Sequence, residues 1–370
     1  MQDSLIGYLQ TVSFATQLAE WARIETCSND PEGLAQFARL LNDRFTQLGA
    51  ATEPVGETHL LARWPGDGKP LLLLAHFDTV YPRGTLATQP IRQRGDKLYG
   101  PGVVDMKGGL LMGCIAIEAL QALDRTWRRP IWFLCTSDEE IGSPGARLYI
   151  EDLARQSQAA LVLEAAATGG ALKTARKGVG LYELAITGRA AHAGVAPEQG
   201  RSALLELAHQ IIWLHSLNDA ETGTTVNVCT AGGGTTTNVI PASARAEVNV
   251  RVRTIAEADR LAREFDARRA VDEDVTIRFT GGLNRPPMER SPEIVQLFEH
   301  ARGLANELGF DLGEAATGGG SDGNFTAAVG VPTLDGLGPI GGGAHSLYEH
   351  VNLHSFVPRT ALLARLLETL

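Results

Sequence analysis

The sequence has few cysteines and no long apolar run. Only four of its 370 residues are cysteine, they are widely scattered, and none forms a Cys-x-x-Cys pair. This pattern gives no sign of a cysteine metal motif, and Cys114 and Cys135, which sit in apolar runs, are expected to be small buried residues. No stretch approaches the length of a membrane span. Residues 1–10 lack a basic start followed by an apolar stretch, so we expect no signal peptide and a cytoplasmic location.

The sequence also lacks an excess of basic residues. Its formal net charge of -10 argues against a nucleic-acid partner, because phosphate binding needs a basic face. With 44% hydrophobic and 21% charged residues, the composition is that of an ordinary globular protein. A chain of this length is too long for one ordinary core, so we predict two domains.

Apolar runs near the start of the chain predict an α/β architecture. Segments 71–77, 131–137 and 160–166 are almost continuously apolar, as strands are when helices cover both faces of their sheet. Segments 31–48 and 108–123 have helical spacing. We therefore predict a mixed, mostly parallel sheet covered by helices.

The middle of the chain has a different pattern. Between residues 180 and 280 the predicted order is strand, helix, strand, strand, helix, strand, and residues 244–253 alternate strictly between apolar and polar. This order is typical of a ferredoxin-like α+β domain. The helical patterns resume at 291–308. We therefore predict one α/β domain, formed by residues 1–176 and 285–370, interrupted by an inserted α+β domain at 177–284.

Metal-ligand residue types recur where strands end or loops begin. They are His76 and Asp78, Asp105, Glu139 and Glu140, Glu164, and His345. Any one of them alone is more often a solvated or packed side chain than a ligand. Four of the five places lie in the first α/β segment at strand ends, where open sheets collect their active sites, and this joint placement favours a metal site.

A nucleotide-binding α/β protein is a different class that the glycine-rich turns could suggest. Neither G-x-G-x-x-G opening a helix after a strand nor G-x-x-x-x-G-K-[ST] is present, so the phosphate-binding loop of that class is missing.

Five motifs in order carry a resemblance to a known family. HFDTVYP (76–82), GPGVVDMKGG (100–109), TSDEEIGS (136–143), LEAA (163–166) and GAHS (343–346) resemble the dinuclear zinc peptidases and deacylases. That family includes bacterial glutamate carboxypeptidase, acetylornithine deacetylase, succinyl-diaminopimelate desuccinylase and aminoacylase. LEAA and TNVIPASA (237–244) look most like the glutamate carboxypeptidase branch, so we expect release of an amino acid by amide hydrolysis. Deacylation of an N-acyl amino acid is the alternative.

The resemblance implies two zinc ions per subunit, for which cobalt or manganese could substitute. Asp105 would bridge the two ions. His76 and Glu164 would complete the coordination of one, and Glu140 and His345 that of the other.

The resemblance also implies two catalytic roles. Asp78 would orient the imidazole of His76, and Glu139 would take a proton from water and pass it to the leaving amine. A cis peptide bond is implied between Asp105 and Met106. A non-catalytic relative that only binds ligands is a second class, but it would have no need for Glu139.

Substrate contacts are expected from the inserted domain, which the resemblance makes a lid and a homodimerisation domain. His192 would stabilise the oxyanion, while Asn238 and Arg251 would hold the carbonyl or carboxylate of a small substrate. Arg285 and the backbone amide of Gly319 are further candidates for binding a free carboxylate.

Overall fold

The computed structural model describes residues 2–370 and contains two compact units. The first unit takes in the chain up to Ala175 together with Arg290–Thr317 and Ser321–Leu370. The second unit comprises Arg176–Glu289 and Gly318–Gly320. The segment 177–284, which we expect to be an insert, lies within the second unit.

The first unit is built from eight helices around a mostly parallel sheet, counted over residues 2–370. The helices are α1 (Gln2–Thr11), α2 (Phe14–Ala22), α3 (Pro31–Gln47), α4 (Gly108–Ala122), α5 (Arg147–Gln156), α8 (Pro292–Glu307), α9 (Gly323–Ala328) and α10 (Phe356–Thr369). The strands of the main sheet are β1 (Ala51–Val55), β2 (His59–Trp64), β3 (Leu71–His76), β6 (Ile131–Thr136), β7 (Ala159–Val162) and β14 (Thr333–Leu334). Their spatial order is β1-β2-β6-β3-β7-β14.

The central strand β3 explains the apolar run in the sequence. It pairs in parallel with β6 on one side and β7 on the other, and each of its six residues is buried. Leu71 and Leu73 face the larger hydrophobic core, whereas Leu72 and Leu74 face a second core on the opposite side of the sheet. Because β14 is also parallel to β7, while β1 and β2 are antiparallel, the predicted mixed, mostly parallel α/β sheet is confirmed.

Short strands outside the main sheet were not predicted. One small sheet contains β4 (Arg92–Arg94), β5 (Lys97–Tyr99), β15 (Gly341–Gly342) and β16 (His350–Asn352), and β8 (Leu172–Arg176) pairs with β13 (Glu314–Thr317). The small sheet joins the chain near residue 98 to the chain near residue 351. It therefore stabilises the C-terminal turn that carries His345.

The second unit is an antiparallel sheet with helices on one face. Its elements are β9 (Gly178–Thr187), α6 (Ala203–Ser216), β10 (Thr225–Gly233), β11 (Ser243–Val252), α7 (Ile255–Ala267) and β12 (Thr276–Arg285). The strands lie in the order β10-β11-β9-β12, and all neighbours are antiparallel. Alternate residues of β11, from Ala244 to Val252, are buried against both helices, which is the physical origin of the strict alternation.

No helix within residues 2–370 combines the length and the apolar character needed to cross a lipid bilayer.

Candidate metal centre

His76 ends the central strand and is held from one side. Its Nδ1 atom lies 3.1 Å from the backbone oxygen of Asp78 and 3.3 Å from Asp78 Oδ1. Its Nε2 atom faces two other carboxylates, at 3.1 Å from Asp105 Oδ1 and 3.6 Å from Glu164 Oε1. One ring nitrogen is therefore oriented by Asp78, while the other points into a cluster of oxygen ligands.

Asp105 presents one carboxylate oxygen to each of two histidines. It lies in the turn before α4, and the bond between Asp105 and Met106 is cis, as the family resemblance implied. While Oδ1 faces His76, Oδ2 lies 3.3 Å from Nε2 of His345. His345 also lies 3.1 Å from Oε2 of Glu140, and its backbone φ of 61° turns the chain sharply at this position.

These side chains form two groups that share one residue. His76, Asp105 and Glu164 make the first group, and Asp105, Glu140 and His345 make the second. In each group the candidate ligand atoms lie within 4.8 Å of one another. Imidazole nitrogens mixed with carboxylate oxygens are a donor set for divalent ions such as zinc, so the residues present fit a metal centre.

The pKa values in the cluster have electrostatic causes. The hydrogen bonds of His345 to Asp105 and Glu140 raise the pKa of its imidazole to about 10. Burial lowers the pKa of His76, but hydrogen bonds to Asp105, Asp78 and Glu164 outweigh that effect and raise it well above its usual value. For Asp105, a carboxyl group, burial acts in the opposite direction and raises the pKa. The hydrogen bonds to both histidines outweigh this effect and bring the pKa of Asp105 far below its usual range.

Asp78 connects the histidine to the two adjacent glutamates. Its Oδ1 accepts a 3.1 Å hydrogen bond from the backbone amide of Glu139, and its Oδ2 accepts one of 3.2 Å from that of Glu140. Ser28 Oγ donates a further hydrogen bond of 2.7 Å to Oδ2. The fully buried carboxylate of Asp78 thus fixes His76 and the start of the 139–141 turn together.

The second unit holds the five predicted substrate contacts. Arg251 and Gly319 belong to one cluster, in which Arg251 Nη1 lies 3.4 Å from the backbone oxygen of Gly318. Arg285 is buried against Gly320, where an added Cβ would approach the arginine Cδ to 2.8 Å. The turn 318–320 is therefore enclosed by arginine side chains.

His192 and Asn238 lie side by side on neighbouring loops of the second unit. The amide of Ala193 donates a 2.9 Å hydrogen bond to the backbone oxygen of Asn238, and His192 forms a bridge with Val239. His192 Nδ1 accepts hydrogen bonds from the amides of Gly194 and Val195, both at 3.1 Å. This leaves Nε2 as the nitrogen that carries the proton of a neutral ring.

Comparison with known proteins gives the chain its family. A model described as "Peptidase family M20/M25/M40" matches residues 72–369. The chain belongs to this peptidase family. The expected relation to metal-dependent peptidases and deacylases is therefore confirmed, and the chain is a metal-dependent hydrolase of amide bonds.

Relatives of the M20 family cover nearly the whole chain. Carboxypeptidase G2 of Pseudomonas sp. (strain RS-16) is 33% identical over 368 residues, which cover 95% of this chain and 87% of the relative. Succinyl-diaminopimelate desuccinylase of Acinetobacter baumannii (strain AYE) is 29% identical over 356 residues, which cover 90% of this chain and 92% of the relative. The crystal structure of aminopeptidase PepT from Bacillus cereus has the same fold, with a TM-score of 0.76 and 21% sequence identity. The match covers 100% of this chain and 98% of the PepT chain.

Three side chains that contact the candidate metal centre or the turn 318–320 were not predicted from the sequence. Ser28 had no signal, because a loop serine fifty positions from Asp78 looks like any other. Arg176 donates from Nη1 to the backbone oxygens of Gly319, at 3.1 Å, and Gly320, at 3.0 Å. Its position at the buried end of an alternating strand was the available clue. The third, Glu349, is four residues beyond His345 in the same turn.

Proposed function

We propose that this chain is a two-zinc exopeptidase that hydrolyses the amide bond of an amino acid bearing a free carboxylate. The observation that carries the proposal is the shared carboxylate of Asp105, whose two oxygens face two separate histidines at 3.1 and 3.3 Å. A carboxylate so placed can bridge two cations. Cobalt or manganese would suit the same ligands.

The proposed chemistry assigns the general base to Glu139. When bound, the two ions would polarise the scissile carbonyl and lower the pKa of the attacking water. Glu139 would take the proton of that water and deliver it to the leaving nitrogen, so one carboxylate serves both steps. Asp78 would orient His76 as a metal ligand. By accepting the amides of Glu139 and Glu140, it would also fix the positions of the base, Glu139, and of the second ligand, Glu140.

The substrate carboxylate would be held by arginines of the second unit. Arg251 and Arg285 are the proposed partners, since a guanidinium pairs with a carboxylate through two parallel hydrogen bonds. The amide of Gly319 would donate to the same group. His192 would stabilise the oxyanion, and Asn238 would bind the substrate carbonyl.

A carboxypeptidase is favoured over a deacylase as the finer assignment. Carboxypeptidase G2 is 33% identical over 95% of the chain, against 29% over 90% for the desuccinylase. The two reactions share their chemistry and differ in the acyl pocket. The test is a screen of folyl-, acetyl- and peptidyl-glutamate against acetylated basic amino acids and succinyl-diaminopimelate, with elemental analysis of the same enzyme. Preferred cleavage of the acetylated basic amino acids or of succinyl-diaminopimelate would replace the carboxypeptidase assignment with the deacylase one.

We also propose that residues 177–284 form an inserted lid and dimerisation domain. The two most exposed large apolar side chains of helix α6 are Leu205, at 62% relative exposure, and Ile212, at 70%; they lie seven residues apart on one face. Strand β10 is an edge of its sheet. Light scattering at about micromolar concentration should give a dimer, and Leu205→Glu with Ile212→Glu should give a monomer; a wild-type monomer would contradict the assignment.

A further inference from the structure

Glu349 is a buried carboxylate that the proposed chemistry does not use. Its relative exposure is 0%. Its two oxygens accept hydrogen bonds from three backbone amides of one loop: Gly102 at 2.9 Å, Val104 at 2.8 Å and Asp105 at 3.1 Å. A buried carboxyl group whose oxygens accept from three amides of a short loop holds that loop firmly.

The turn that carries Glu349 also carries His345. The amide of Ser346 donates to the oxygen of Gly343 at 3.0 Å, and the amide of Glu349 donates to the oxygen of Ser346 at 3.2 Å. Tyr81 also holds this turn, since its hydroxyl donates a 2.9 Å hydrogen bond to the backbone oxygen of Ser346. Glu349 therefore ties the turn bearing one candidate ligand to the loop bearing another.

The two candidate ion positions depend on this link to different degrees. His76 follows a fully buried strand and is itself 2% exposed, so the sheet fixes the first position. His345 lies in an irregular turn with its side chain 52% exposed. Its distance to Asp105 depends on how the turn is joined to the 102–105 loop. The small sheet pairs the flanking strands β16 and β5, and the side chain of Glu349 contacts the loop itself.

We propose that Glu349 is a positioning residue of the metal centre: it sets the separation of Asp105 and His345, and thereby the affinity of the ion position formed by Asp105, Glu140 and His345. The inference rests on the proposed function, because it presumes two ions per chain. It assigns Glu349 no contact with substrate or metal.

The test is the amount of zinc bound per chain by Glu349→Gln at graded free zinc concentrations, measured by elemental analysis. Glutamine keeps the shape and one acceptor oxygen, but its terminal NH₂ is a donor. The amides of the loop donate to both oxygens of Glu349, so at least one of them loses its acceptor. We expect one ion to bind as in the wild type and the second to bind about 10–100-fold more weakly, the usual effect of losing a residue that orients ligands. Raising free zinc should restore kcat, which a general folding defect would not allow.

Glu206→Gln is the matched control. Glu206 is also a buried glutamate that accepts backbone amides, those of Val271 and Asp272, but it lies in the second unit. The control should lose stability and still bind two ions. Should Glu349→Gln fail to fold, Glu349→Asp keeps the carboxyl group but is too short to reach all three amides, and the same selective loss is expected.

Two outcomes overturn the inference while leaving the proposed function intact. One is wild-type affinity for both ions in the Glu349 variant, and the other is an equal loss of both ions. If the wild-type enzyme itself binds fewer than two ions, the proposed function fails first.

Discussion

Ser28 Oγ donates a 2.7 Å hydrogen bond to Oδ2 of Asp78, across fifty positions of sequence. Asp78 in turn contacts His76 and the amides of both adjacent glutamates, so the serine acts on the metal centre through one intermediate carboxylate. Ser28→Ala should weaken zinc binding or lower kcat/KM by about tenfold. Metal titration and initial rates check this.

Ser291→Ala is the control for the Ser28 variant. Ser291 caps α8 by accepting the amide of Ile294, so its loss should cost about 1 kcal/mol of stability. Zinc affinity should stay unchanged in this control. If the Ser28 variant has the zinc affinity and the kcat/KM of the wild type, Ser28 does not position the metal centre.

Glu139→Gln tests the general base. The substitution keeps the shape of the side chain and removes its ability to accept a proton from water. We expect kcat to fall by about 10²–10⁴-fold. Because the five candidate ligands are untouched, zinc content should equal that of the wild type. Turnover that survives in the fully loaded variant would show that another group is the base.

Arg285→Gln tests recognition of the substrate carboxylate. Loss of a hydrogen bond to a charged group costs about 1.5–3 kcal/mol, which corresponds to a roughly 10–150-fold fall in kcat/KM. The same substrate with a carboxamide in place of the carboxylate should lose little. Arg278→Gln on the same strand, where the side chain is exposed, is the control and should behave as the wild type. A similar loss on both substrates would indicate a structural role instead.

Glu206 gives a pH dependence of stability. Although burial raises its pKa, hydrogen bonds from Gln210 and the amides of Val271 and Asp272 outweigh that effect, and the pKa is lowered from 4.5. A depressed carboxyl pKa contributes stability above the unfolded value of 4.5 and loses it as pH falls through the folded value. Glu206→Gln should therefore be less stable than the wild type at pH 7.

The difference between Glu206→Gln and the wild type should shrink as pH falls below about 4.5. Urea unfolding at pH 7 and pH 4, followed by circular dichroism, measures the gap. A gap that is constant with pH would show that the carboxylate charge does not contribute.

The sequence predicted the regular core well because its pattern reports burial directly. The run at 71–77 is apolar because β3 is covered on both faces, and the alternation at 244–253 exists because only one face of β11 is covered. Predicted helix ends agree with α4 and α8 to within a few residues. Family motifs supplied the five ligand candidates, and all five converge in two groups that share Asp105.

Long-range contacts between irregular segments escaped prediction. Glu349 and Gly102 are 247 positions apart, and no local pattern signals that a carboxylate accepts the amides of a distant loop. The two-residue strand β15 is too short for periodicity to be recognised. Arg176 had only a weak clue, because a strand-end arginine is usually exposed.

The most direct measurement is anomalous X-ray diffraction from crystals of the zinc-loaded enzyme. We expect two peaks about 3.5–4 Å apart, a spacing typical of two-metal sites. Asp105 should contact both, with His76 and Glu164 at one peak and Glu140 and His345 at the other. A single peak, or two peaks of which only one is in contact with Asp105, would contradict this expectation.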